Sequence, residues 1–267
     1  MKHIIGFIGA GNMAGAMIGG ILKAGIVLPE QAAVSDLLEE KTAPYAARGL
    51  GVYADPAELV RNCRYVVLSV KPQVMEAVLQ NIAQAVTEEH VLISIAAGVS
   101  CRYIRSVIGF ECKVVPVMPN TPLLVGEGAV AVGREEPISA EEFDFVTGLF
   151  RAGGRVEVID SGKLNEVIPI NGSSPAMIYL LAKYMCSYAE TQGISYEAAN
   201  RLFCQTLIGS AKMMLESGKT HDELIAMVTS PGGTTYRMLD ALKERGLDDM
   251  VEDACGRCVR RAYELGK

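Results

Sequence analysis

Apolar positions along this chain fall into two regimes. In the first, short apolar runs at 3–8, 31–35, 65–70, 91–95, 113–117, 128–133 and 155–159 predict strands. Between most of them, apolar residues recur every three or four positions, near 12–24, 37–48, 72–85, 100–107 and 139–150, which predicts helices. Runs such as Tyr65-Val66-Val67-Leu68-Ser69-Val70 leave little room for a polar face, as in strands covered on both sides. Strands of that kind alternating with helices predict a doubly wound, mostly parallel α/β sheet. In the second regime, 173–191, 195–217, 220–228, 232–244 and 247–265 all read as helix. Ser195 three before Ala198, Thr220 three before Glu223, and Gly246 mark helix ends. The change falls at Ser161-Gly162. Residues 1–161 are therefore expected to form a dinucleotide-binding domain, and 162–267 an all-α domain.

Helices 173–191 and 195–217 are apolar around much of their circumference: Met177, Ile178, Leu180, Leu181 and Met185, then Leu202, Phe203, Leu207, Ile208, Met213 and Met214. A domain of about a hundred residues has too little interior to hide that surface. Contact between subunits is the simplest remedy, with packing of the helices on each other as the alternative.

The first strand-to-helix junction carries the strongest chemical signal. Ile4, Ile5, Phe7 and Ile8 lead directly into Gly9-Ala10-Gly11-Asn12-Met13-Ala14, and helical periodicity follows. Strand, glycine turn and helix are the context in which G-x-G-x-x-G/A predicts a dinucleotide site. Gly9 allows the sharp turn, Gly11 lets the backbone approach a pyrophosphate, and Ala14 keeps helix and strand close. The free N–H groups at the helix start then face the phosphates.

Ligands of such sheets sit beyond the carboxyl ends of the strands, so other strand ends matter. Asp36 closes the second predicted strand, where an acid bonds the adenosine ribose hydroxyls and repels a 2′-phosphate. An equally simple use for it is to cap the helix that follows. Lys41 and Arg48 are not placed as a phosphate clamp. Val70, Lys71 and Pro72 end the strand after it, and Lys71 is expected to project from the carboxyl edge. Small residues at Ala97 and Gly98 are expected to let a flat ring approach the backbone. Two prolines stiffen Met118-Pro119-Asn120-Thr121-Pro122 and hold Asn120 at the same edge. In the helical half, Gly172-Ser173-Ser174-Pro175 and Ser230-Pro231-Gly232-Gly233-Thr234-Thr235 each open a helix. Bare N–H groups and hydroxyls there suit a carboxylate.

Composition narrows the reading. Half of the 267 residues are apolar, enough for a substantial core. A net charge of −6 argues against a nucleic-acid binder. No apolar run approaches a membrane span, and Met1-Lys2-His3 leads straight into a core strand without a cleavage signal. The seven cysteines are odd in number and scattered, as expected of reduced thiols in a cytoplasmic protein. Cys255-x-x-Cys258 has no second pair to complete a metal site, so none is expected.

Taken together, the chain resembles the pyrroline-5-carboxylate reductases. The resemblance rests on Gly6-Phe-Ile-Gly9-Ala-Gly11-Asn12-Met13, Val70-Lys71-Pro72, Ser94-Ile-Ala-Ala-Gly98-Val99, Met118-Pro-Asn-Thr-Pro122, Gly172-Ser-Ser-Pro175-Ala176, Gly209-Ser-Ala-Lys212-Met213 and Ser230-Pro-Gly-Gly-Thr-Thr235. It implies an N-terminal Rossmann domain, a C-terminal helical dimerisation domain, NADPH or NADH as cofactor, and L-proline as product. It implies a homodimer, and larger assemblies of dimers occur in that family. Departures are Asn171 for a common serine, Met177 for an aromatic, and Ile168 for a frequent threonine.

The resemblance places Gly9, Gly11, Asn12 and Met13 on the pyrophosphate, with Lys71 and Asn120 flanking the ribose and nicotinamide. Ser230, Gly233, Thr234 and Thr235 take the substrate carboxylate, with Ser173 and Ser174 as a second location. Ser230 and Thr235 are the expected catalytic pair, Thr235 also bonding the ring nitrogen. Residues 230–235 are expected to face the nicotinamide end of the sheet. A protonated cyclic imine needs alignment more than a dedicated acid. That agrees with His3, His90 and His221 lying outside every motif. Two other readings share the plan: a β-hydroxyacid dehydrogenase, which uses a helix lysine with an asparagine four later, and a nucleotide-sensing protein without catalysis. Lys183 stands at a suggestive distance after Gly172, but position 187 is Ser.

Overall fold

The computed structural model describes residues 1–266. The chain forms two compact units: Met1–Pro175 together with the segment from Cys258 onward, and Ala176–Arg257.

The first unit is built on an eight-stranded sheet. Its strands are β1 (His3–Ile8), β2 (Ala32–Ser35), β3 (Gly51–Val52), β4 (Cys63–Leu68), β5 (Val91–Ser94), β6 (Lys113–Met118), β7 (Gly128–Gly133) and β8 (Gly154–Ile159), in the order β3-β2-β1-β4-β5-β6-β7-β8. Pairing is parallel from β3 through β6; β7 runs antiparallel to β6, and β8 parallel to β7. The strand order reverses between β1 and β4, which opens the crevice where such sheets bind ligands.

Both faces are covered, as the uniformly apolar strands require. On one face Ile5 and Phe7 of β1 and Tyr65 and Val67 of β4 pack with Met17, Ile18 and Ile21 of α1 (Asn12–Lys23) and Phe150 of α6 (Ala140–Arg151). On the other, Ile8, Val66 and Leu68 meet three helices: Leu59 of α3 (Pro56–Asn62), Met75 and Leu79 of α4 (Pro72–Ile82), and Ile104 of α5 (Cys101–Ile108). The remaining helix of the sheet is α2 (Glu39–Ala46).

Three elements lie outside the predicted pattern: β3, α3 and the single-turn helix α7 (Leu164–Val167). β3 is a two-residue edge strand, too short to show a period. α3 carries its own signals, since Asp55 accepts the Ala57 N–H and Pro56 stands in the first turn. It then runs into β4 with no intervening loop, so nothing separates the two patterns. β4 also ends earlier than expected, leaving Ser69 and Val70 beyond the strand.

The compact units do not divide at 161/162. Leu164 of α7 (Leu164–Val167) and Ile168 pack with Met118, Ala131 and Ala262, so the chain from 162 to 175 stays with the sheet.

The second unit is helical, with no strand among its residues. It holds most of α8 (Ser174–Thr191), then α9 (Tyr196–Glu216), α10 (His221–Met227), α11 (Thr234–Glu244) and the first part of α12 (Leu247–Leu265). Ser195 caps α9, and Thr220 with Glu223 forms a reciprocal cap on α10, as the spacing predicts. No helix among the described residues is long and apolar enough to cross a membrane.

Candidate active site

The glycine turn is held from three sides. Gly9 has φ +99°, and a Cβ there would lie 2.6 Å from the Ser69 carbonyl oxygen, so only glycine fits. Its N–H donates to the Ser35 carbonyl at 2.8 Å. The Ser69 hydroxyl lies within hydrogen-bond reach of the Ile8 and Gly9 carbonyls, at 2.9 and 2.8 Å. The Ala10 N–H donates to Asp36 Oδ2 at 2.9 Å. Ser69 escapes sequence reasoning; a hydroxyl closing a buried strand is its only signal.

Beyond this clamp the helix end is bare. Gly11 precedes α1, no side chain caps it, and a Cβ on Gly11 would meet nothing within 4 Å. Ala14 is fully buried beneath the turn. Asn12 is exposed, whereas Met13 is half-buried and packs on the core. Uncapped N–H groups, open space and a positive helix end fit a dinucleotide pyrophosphate.

Of the two uses expected of Asp36, capping of the next helix does not occur. α2 begins at Glu39 after Leu38, so Asp36 is not its cap. Its Oδ1 accepts the Leu38 N–H at 3.1 Å in a local turn and stands 3.8 Å from Lys41 Nζ. At the next strand end, Lys71 is the exposed residue preceding α4, between half-buried Val70 and Pro72.

The loop after β5 differs from expectation. Gly98 has φ +79°, and a Cβ on it would lie 2.4 Å from the Ala262 carbonyl. The close approach that its small size allows is made, on this side, by the end of α12. Ala97 beside it is half-buried.

Asn120 also differs. Expected to flank the ribose and nicotinamide, it is buried with both ends of its amide committed. Oδ1 accepts the Ala129 N–H at 2.9 Å, and Nδ2 donates to the Asn171 carbonyl at 3.2 Å. Asn171 in turn donates from Nδ2 to the Met118 and Ala129 carbonyls, at 2.7 and 3.1 Å. A serine, with one hydroxyl proton, cannot replace that double donation. The two asparagines lock the end of β6 to the start of β7.

Among the helix starts, Ser173 and Ser174 have hydroxyls already engaged. Ser173 Oγ lies 3.3 Å from Cys258 Sγ, and Ser174 donates to the Ile170 carbonyl at 2.6 Å. In the second unit, α11 is different. Gly233 precedes it without a side-chain cap, and Thr234 and Thr235 form its first turn. Gly232 has φ +74°, and the Gly233 N–H donates to the Ser230 carbonyl at 2.9 Å.

Buried thiols and imidazoles are structural. Burial pushes Cys63 up to about 12 and Cys112 up to about 11, and raises Cys101 further. None is a thiolate at neutral pH. His3 is bonded through its ring to the Glu30 carbonyl and His90 to the Val60 carbonyl, at 2.8 and 2.9 Å. Cys255 and Cys258 are free thiols of α12.

A doubly wound sheet with a bare glycine-turn helix end at its switch point defines the class: a dinucleotide-binding α/β protein with a helical C-terminal part. Residues 162–265 match the family described as pyrroline-5-carboxylate reductase dimerisation, and 4–98 the one described as NADP oxidoreductase coenzyme F420-dependent. A pyrroline-5-carboxylate reductase of Methanosarcina acetivorans is 37% identical over 264 residues, covering 98% of each chain. That of Escherichia coli is 34% identical over 268 residues, covering 100% of each. The crystal structure of Plasmodium falciparum pyrroline carboxylate reductase with NADP bound superposes with a TM-score of 0.91 at 29% identity, covering 99% of this chain and 98% of that one. The chain belongs to the pyrroline-5-carboxylate reductase family.

Proposed function

We propose that this chain catalyses the reaction of its family, reduction of 1-pyrroline-5-carboxylate to L-proline with NADPH or NADH, the last step of proline biosynthesis. The observation that carries the reading is similarity over the whole chain, both halves included. The β-hydroxyacid dehydrogenase and nucleotide-sensing readings have no such support, and Lys183 is an exposed lysine of α8.

When bound, the reduced nicotinamide supplies a hydride to the iminium carbon. The chain's task is to hold both partners. Gly9 and Gly11 shape the turn, and the N–H groups of Asn12 and Met13 take the pyrophosphate. Val70, Lys71, Pro72, Ala97 and Gly98 line the path toward the nicotinamide, and Asn120 keeps its loop in place. The uncapped start of α11 takes the substrate carboxylate through the Thr234 N–H, with Gly233 leaving room for it and the Ser230 hydroxyl helping. Thr235 accepts a hydrogen bond from the protonated ring nitrogen. Ser173 and Ser174 rank behind this site because their hydroxyls are engaged.

The functional division is 1–161 and 162–267, supported by the extent of the family matches at 4–98 and 162–265. The second part pairs with its copy in a homodimer, and the enzyme works in the cytoplasm.

The test is oxidation of NADH and NADPH with 1-pyrroline-5-carboxylate, run beside hydroxyacid-dependent reduction of NAD+ and NADP+. Substrate-dependent oxidation is expected only with the cyclic imine. A Thr235→Ala variant should lose at least about tenfold in kcat/KM for the imine while binding cofactor normally, since one charge-assisted hydrogen bond is worth about that much. Wild-type kinetics in that variant would move the substrate nitrogen and carboxylate elsewhere.

A further inference from the structure

The adenosine end of the cofactor site carries a feature that the reaction does not require. Asp36 stands immediately after β2, and its side chain is only 12% exposed. Each carboxylate oxygen is pinned by a backbone donor: Oδ2 by Ala10 within the glycine turn and Oδ1 by Leu38. Swinging the carboxylate aside would strip a partner from the Ala10 N–H, on a buried residue. An ionised carboxylate offers about four acceptor positions, so about two remain after these bonds. Those suit two hydroxyl donors on adjacent carbons.

The surroundings reinforce the sign. Glu39 and Glu40 follow in the first turn of α2, both exposed. Lys41 is the cation beside Asp36, but it is 3.8 Å away with a side chain 46% exposed. A solvated ammonium of that kind offsets little of the field of a shielded carboxylate. A 2′-phosphate would bring a charge of roughly −1.5 to −2 against this group.

Resting on the reading that the glycine turn binds the pyrophosphate, we infer that Asp36, fixed by the Ala10 and Leu38 N–H groups, makes this chain select NADH over NADPH. The selectivity comes from a carboxylate that accepts the ribose hydroxyls and cannot retreat from a phosphate. The NADP bound in the Plasmodium falciparum relative shows that the overall fold also admits the phosphorylated cofactor. Selection is therefore a property of the residues at this strand end.

The experiment measures Kd for NADH and NADPH by cofactor fluorescence, without substrate, and kcat/KM for both with 1-pyrroline-5-carboxylate. It uses the wild-type protein and Asp36→Asn, which keeps the shape and an acceptor for Ala10 but removes the charge. The wild type is expected to favour NADH by at least about tenfold, the scale of one close charge repulsion. Asp36→Asn should move the ratio at least about tenfold toward NADPH, mainly by tightening NADPH. Wild-type preference for NADPH overturns the inference. So does a variant that weakens both cofactors equally, because that is what a strut alone would do. Reduction of the imine with NADPH preferred sinks this inference and spares the assigned reaction. Preferential NADH binding with no reduction of the imine by either cofactor does the reverse.

Discussion

At the scale of single residues, the site is a set of backbone groups exposed by what is missing. Gly9 is glycine because its neighbour Ser69 leaves no room and its φ is positive; Gly11 is glycine although nothing in the protein crowds it. Under the proposed reading, the second is kept small for the cofactor. Gly11→Val should therefore leave the fold intact and abolish tight cofactor binding, since the branched side chain fills the space at the bare end of α1. Circular dichroism and cofactor titration check this together, and unchanged affinity in a folded variant would displace the site. The sharp turn at Gly9 between β1 and α1 was legible because spacing and context announce it. The roles of Ser69, Asn120 and Asn171 were not. Each depends on a carbonyl or N–H from a strand distant in sequence, and no local pattern records which backbone group will need a partner.

At the scale of elements, period and caps carry most of the information. Every predicted strand and helix exists, with ends moved by a few residues, because buried strands and amphipathic helices differ in period. β3, α3 and α7 were lost because the first is two residues long, the second has no loop after it and the third is a single turn. How elements are tied together is a tertiary matter, and Glu142 shows it. Ser139 and Glu142 cap α6 reciprocally, a local signal. The same buried carboxylate also accepts Lys113 Nζ of β6 at 2.8 Å and Arg64 of β4 at 3.1 Å, binding the helix to two strand starts. Burial alone would raise its pKa. The bonds from Lys113, the Ser139 N–H and Arg64 outweigh that and hold it at about 2. An unfolded glutamate titrates near ~4.3. The folded group is the stronger acid, so its contribution is complete above that pH and fades as pH falls toward 2. Glu142→Gln should cost about 1–3 kcal/mol at neutral pH, as a buried carboxylate is removed from two cations. The deficit should shrink between about pH 5 and pH 2 in urea unfolding at fixed protein concentration. A deficit independent of pH would assign the effect to packing.

At the scale of the whole molecule, the dominant fact is the apolar surface that α8 and α9 leave exposed among the described residues. α9 has no buried residue, although Leu202, Ile208, Met213, Met214 and Leu215 lie along it. On α8, Met177, Tyr179, Leu180, Leu181, Tyr184 and Tyr188 are each at least half exposed. Packing of the two helices on each other, the alternative the sequence left open, does not occur to the extent needed. Apolar patches on a monomer rarely exceed a few hundred Å², whereas a stable interface buries about 1,200–2,000 Å² in total. The homodimer proposed above would supply that area from these two helices, in keeping with the match to a dimerisation family. Light scattering should therefore give at least twice the chain mass at micromolar concentration. Leu202→Glu places a charge on a side chain 68% exposed in the single chain. In a monomer that change is nearly neutral; in a dimer it buries an unpaired carboxylate and drives dissociation. Loss of assembly in the variant, with imine reduction falling alongside it, is the expected outcome. A wild-type protein that is monomeric and fully active would show that the exposed helices serve something other than self-association.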